Sequence, residues 1–140
     1  MSGSTLVDTN VLVYAVDAAD PAKQRRALDV LAERADSLML STQVLSEFYV
    51  VVTRKLATPL DPETAAAQVA GLSRLPVVAT DVGLVRDAIE ISRRSQIGYW
   101  DALVIAAARA GACEAVLTED LQDGAVIAGV AIENPFAGVA

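Results

Sequence analysis

Asp8 closes the short apolar run Leu6-Val7 and is followed at once by Thr9 and Asn10. An acid, a hydroxyl and an amide therefore stand where a buried strand would hand the chain on. The crevice beyond the carboxyl ends of parallel strands is where open α/β sheets bind ligands, which makes Asp8 the first candidate for chemistry. Its plainer reading is an Asx turn or a helix cap. Asp120 stands similarly, in the acidic turn Glu119-Asp120-Leu121-Gln122-Asp123-Gly124 behind Ala115-Val116-Leu117-Thr118. Two further acids lie on faces that are otherwise largely apolar. At helical spacing Glu47 neighbours Gln43, Val44, Val50 and Val51, and Asp101 neighbours Ile97, Gly98, Val104 and Ile105. An ionised carboxylate is costly to bury unless it is paired or bound to a metal. The structural alternatives are a Glu47–Arg54 pair and an Asp101 that caps its own helix. Acids meeting at one place repel one another without cations, and oxygen ligands with no His or Cys beside them suit Mg2+ or Mn2+.

Placing these acids requires particular elements. Leu6-Val7, Leu38-Met39-Leu40, Val77-Val78-Ala79, Ala115 to Thr118 and Val130-Ala131-Ile132 read as five short strands. Between them lie helical stretches. Val11–Val16 is short; Asp20-Pro21 opens a helix to about residue 35 with Ala27, Leu28, Leu31 and Ala32 inward. Ser41 or Thr42 caps a helix from Gln43 to Leu56, and Asp61-Pro62 opens one to about Arg74. Asp81 caps a helix to Ser95, and a last one runs from Tyr99 to Ala110, closed by Gly111 in the C′ place. Strands that are apolar throughout and alternate with helices argue for a five-stranded parallel sheet covered on both faces, a three-layer α/β/α fold. All the carboxyl ends then share one rim, with Asp8 and Asp120 directly on it and Glu47 just past it.

Composition narrows the function. The 140 residues suit a single domain with one core. Although 54% of them are hydrophobic, the longest unbroken apolar run is Ala102–Ala108, well short of the 18 to 20 or so that a membrane span needs. No basic lead precedes an apolar stretch at the N-terminus, so the expected location is the cytoplasm. Cys113 is the single cysteine, and histidine is absent, which removes zinc sites and Ser-His or Cys-His nucleophiles. Eighteen acids against eleven Lys and Arg give a net charge of −7. Such a chain can act on a polyanion only if its acids are covered, and a divalent cation is the obvious cover.

The sequence resembles the PIN-domain ribonucleases, specifically the VapC-type toxins of toxin–antitoxin pairs. The resemblance rests on Leu6-Val7-Asp8-Thr9-Asn10-Val11-Leu12, Ser46-Glu47-Phe48, Gly98-Tyr99-Trp100-Asp101-Ala102-Leu103 and Val116-Leu117-Thr118-Glu119-Asp120. These pieces occur in the family's order and span nearly the whole chain. The resemblance implies a PIN-like fold, Mg2+- or Mn2+-dependent endonuclease action on RNA, and a site of Asp8, Glu47, Asp101 and Asp120. The family's fourth acid falls two or five positions after the threonine, often before an aromatic. Here Asp120 and Asp123 both qualify and Gly124 replaces the aromatic; Asp120 is preferred and Asp123 stays open. Asp8 and Asp101 would be the principal metal ligands, with Asn10 and Thr118 orienting ligands or a water. A cognate antitoxin and a homodimer are the expected partners, with no membrane.

An RNA track would draw on Lys23, Arg25 and Arg26, on Arg54 and Lys55, or on Arg93 and Arg94. Trp100 could stack a base, but anchoring its helix in the core is the favoured reading, and Tyr14 and Tyr49 are expected in the core or an interface. Three other readings compete. A phosphoacceptor switch would want a strand-end lysine, whereas Lys23 and Lys55 fall within helices. A silent binding module, or a nuclease acting on DNA or in RNA processing outside a toxin–antitoxin pair, would keep the same acids.

Overall fold

The computed structural model describes residues 3–139. Six strands, β1 (Thr5–Val7), β2 (Leu38–Ser41), β3 (Val77–Val78), β4 (Ala115–Leu117), β5 (Val126–Ile127) and β6 (Val130–Glu133), form one sheet in the order β3-β2-β1-β4-β6-β5. All neighbours are parallel except β5, which pairs antiparallel with β6 through Val126–Ala131 and Ile127–Val130. The expected five parallel strands are all present, and β5 is the addition. It joins β6 through Ala128 (φ 50) and Gly129 (φ 82), a two-residue turn whose central residues both need positive φ. Alanine at the first of these positions hides the hairpin from sequence, because Asn-Gly or Asp-Gly is the usual signal.

Helices cover both faces. On one face lie α1 (Thr9–Val16), α2 (Pro21–Glu33), α3 (Thr42–Arg54) and α4 (Pro62–Leu72); on the other lie α5 (Val82–Ser95) and α6 (Tyr99–Ala110). The alternation of side chains along β1 divides the core: Leu6 packs with α5 and α6, and Val7 with α1, α2 and α3. Helix starts follow the sequence signals. Asp20, Ser41, Asp61 and Asp81 each accept from the backbone N–H three residues on. Residues 102 to 108 of α6 are buried without a break, as an interior helix requires. No helix among the described residues is long and apolar enough to cross a membrane.

Two local expectations are corrected. Along α2 the inward residues are Ala27 and Val30 with Leu31 packed partly against them, as expected for Ala27 and Leu31, while Leu28 is 49% exposed and Ala32 is also exposed. Leu28 drew the reading one step off the buried stripe, which Val30 fills instead. At the end of α6, Gly111 has φ −85 and the left-handed residue is Ala112 (φ 56). Gly111 instead sits close to Met39, whose flexible Cε would have to shift from a Cβ there, 2.8 Å away.

Candidate active site

β1, β4 and the start of α6 deliver their acids to the same end of the sheet. Asp8 is the first residue past β1 and the N-cap of α1, so the capping reading and the rim reading describe one side chain. Its Oδ1 accepts from Thr9 N at 2.7 Å, and its Oδ2 accepts from the buried Thr118 hydroxyl at 2.7 Å. Both oxygens are thus fixed in direction. The same Thr118 oxygen accepts from Asp120 N at 3.1 Å, tying the fourth acid's backbone to the first acid's carboxylate. Asn10 Oδ1 accepts from Glu119 N at 3.3 Å and holds the turn after β4 against the start of α1.

Glu47 arrives from α3. Val44, Phe48 and Val52 fill the buried stripe of that helix and turn Glu47 sideways, where Thr9 Oγ1 donates to its Oε1 at 3.1 Å. The Glu47–Arg54 pair allowed by the sequence is not formed. Asp101 lies in the first turn of α6, half-buried, beside the continuous core run that anchors the helix. One carboxylate oxygen each of Asp8, Asp101 and Asp120 lie within 4.8 Å of one another. Asp8, Glu47, Asp101 and Asp120 all border a single cavity of about 380 Å3. Asp123 does not. It faces the hairpin and accepts from Asn134 N at 2.8 Å.

No Lys or Arg among the described residues forms an ion pair with any of the four acids. Asp8 is 6% exposed, and burial pushes its carboxyl up to about 6. The hydrogen bonds from Thr118 and Thr9 pull it down, and the charges of Asp120 and Glu47 add to the rise. Asp101 is raised too, by burial first and then by Asp120 and Glu47. Without a cation the cluster therefore resists full ionisation. Three carboxylates converging through oxygen atoms, with no nitrogen or sulfur ligand, fit a hard divalent cation.

Several contributors escape a reading of the sequence. Thr9 is a common helix-start residue, and nothing in the chain links it to Glu47, 38 positions away. The same holds for Glu119, whose carboxylate accepts from the Tyr14 hydroxyl at 2.7 Å and pairs with Lys23 Nζ at 2.6 Å. Trp100 corrects the favoured expectation. It is 65% exposed on the rim of the cavity and does not anchor the core. Its bond partner Gln43, whose Nε2 donates to the Trp100 carbonyl at 3.3 Å, lines the same cavity. The basic residues form no continuous track. Lys23 is bound to Glu119, Arg25 lies 4.0 Å from Asp29, Arg26 faces Glu33 and Arg94 faces Glu90. Among the described residues Arg54, Lys55 and Arg93 make no ion pair.

Residues 5–122 match the PIN domain family. No functionally curated protein matches the sequence. Solved structures that share the fold include Mycobacterium tuberculosis VapC20, described as a sarcin-ricin loop cleaving toxin, at 22% identity and TM-score 0.68, over 84% of this chain and 90% of that one. A toxin–antitoxin complex from Klebsiella pneumoniae matches at 19% identity and TM-score 0.71, over 94% and 98%. DNA-bound VapBC from Salmonella typhimurium matches at 23% identity and TM-score 0.64, over 95% and 98%. With the family matched over most of its length, the chain belongs to the PIN domain family.

Proposed function

We propose that the protein is a Mg2+- or Mn2+-dependent endoribonuclease and the toxin of a toxin–antitoxin pair. One observation carries the reading. Carboxylates from three separate segments of a PIN domain converge within 4.8 Å, and none of them has a cation of the protein's own. Asp8 and Asp101 would hold the metal, and Glu47 and Asp120 would complete the set directly or through water. When bound, a divalent cation acidifies water and neutralises charge on the phosphoryl oxygens.

The chain's own residues prepare that site. Thr118 and the Thr9 amide aim the Asp8 oxygens, Thr9 aims Glu47, and Asn10 holds the turn that carries Asp120. Neither a side-chain base nor a nucleophile is required, in keeping with the absence of histidine. A phosphoacceptor mechanism is disfavoured because Lys23 is engaged by Glu119 and Lys55 caps the far end of α3. The similar folds described as an RNA-cleaving toxin and as toxin–antitoxin complexes support RNA as substrate and a cognate antitoxin as partner. A homodimer working in the cytoplasm completes the reading.

The test is cleavage of structured RNA with Mg2+ or Mn2+. Cleavage stops with EDTA, and Asp8→Asn and Asp101→Asn lower it by roughly 100-fold or more, beyond the usual loss of an outer metal-site partner. Undiminished cleavage by both variants, purified free of other nucleases, overturns the assignment.

A further inference from the structure

We propose that Trp100, braced by Gln43, forms a stacking subsite for an unpaired nucleobase of the substrate, without preference among the bases. The proposal rests on the ribonuclease reading and specifies how the RNA is held next to the reacting phosphate.

Trp100 is the residue before Asp101, in the first turn of α6, so a base next to a phosphate held at the acids falls within its reach. Its indole borders the acid-lined cavity and also an adjoining cavity of about 430 Å3 that includes Ser46, Thr80 and Leu103. Tyr99 packs against it edge-on, with centroids 5.1 Å apart and planes at 73°, which steadies the ring. After that contact 65% of the residue is still open, a large aromatic surface left to water at the mouth of a polar site. Bases stack on such a platform whatever their identity.

Gln43 braces the platform. Its Nε2 donates to the Trp100 carbonyl at 3.3 Å and ties the start of α6 to α3 beside the acids. Its Oε1 is shielded from solvent, so the base meets the indole alone and no edge is read.

The chain has a single tryptophan, so its fluorescence reads this subsite directly. The full-length protein in Mg2+ is titrated with octamers of A, C and U and with an abasic octamer of the same charge, and each sample is also run on a gel for cleavage. The A, C and U octamers are each expected to quench Trp100. The abasic octamer binds without quenching. Against end-labelled A octamer, Trp100→Ala weakens binding roughly 5- to 150-fold while Trp100→Phe stays close to wild type. Equal quenching by the abasic octamer or wild-type binding by Trp100→Ala each overturns the subsite. Cleavage with unquenched Trp100 also overturns it and leaves the nuclease reading standing. Base-dependent quenching without any cleavage supports the subsite and counts against the nuclease reading.

Discussion

Glu119 and Asp120 are neighbours in sequence but differ in charge environment. Glu119 gives its two carboxylate oxygens to the Tyr14 hydroxyl and to Lys23 Nζ, and the ammonium also lies 4.8 Å from the centre of the Tyr14 ring. Asp120 turns toward Asp8 and Asp101, where no basic side chain pairs with it. Glu133 repeats the first pattern by pairing with Arg34. Glu119 and Glu133 are thus neutralised by the chain's own cations, whereas the acids that meet at the rim are not. A cluster in that state, partly buried and mutually repelling, has the charge balance that the proposed cation would complete.

That contrast can be broken from the acid side. Thr118→Val removes the hydroxyl that orients Asp8 and accepts from Asp120 N, leaving both without that partner. Metal-dependent activity is expected to fall 10- to 100-fold, as for other partners that orient metal ligands. An activity within twofold of wild type would separate the threonine from the site.

Titration comes next in size. Asp8 has a folded pKa of about 6 against an ordinary value of 3.8. Because its folded pKa is raised, the folded state binds the extra proton. Relative stability is full below about pH 4 and is lost as pH rises through about 6. At 1.36 kcal/mol per pKa unit the loss attributable to Asp8 in metal-free protein is about 3 kcal/mol, and the raised Asp101 acts in the same direction. Urea unfolding in EDTA at pH 4.5 and pH 7 captures about 2 kcal/mol of it, the rest being lost below pH 4.5, with Asp8→Asn expected to show the smaller difference. A metal-free protein that gains stability over this range through these acids would contradict the cluster's electrostatics.

The smallest effect is expected on the paired side. Lys23→Met leaves Glu119 with only the Tyr14 hydroxyl, at a cost of about 1 kcal/mol, because both partners of the pair are partly open to solvent. Metal affinity should stay within a few-fold of wild type. A loss of metal binding as large as that of Thr118→Val would erase the distinction between the two groups of acids.

What the sequence discloses follows from how local each signal is. Asp8 behind an apolar run, Thr118 and Asp120 behind another, and the unbroken apolar stretch of α6 are short-range patterns, and the structure brings those acids to one rim. Glu47 is legible as a carboxylate among valines, but its partner Thr9 lies 38 residues away and leaves no periodic trace. The Lys23–Glu119 pair spans 96 residues and is equally hidden. Trp100 misleads because its type favours burial while its position, one step before Asp101, puts it at the mouth of the site. β5 escapes because its turn carries Ala128 where asparagine or aspartate would have signalled it.

On this reading the unneutralised acids share one cation. Urea unfolding of wild type and Asp101→Asn at pH 7, each in EDTA and in Mn2+, tests it most directly. In EDTA the variant should be the more stable, since one repelling charge is gone. Mn2+ at 100 times its wild-type Kd should stabilise the wild type by about 2.7 kcal/mol and the variant by much less. If Asp101→Asn is the less stable protein in EDTA and gains as much from Mn2+ as the wild type does, the acids do not form a shared metal site.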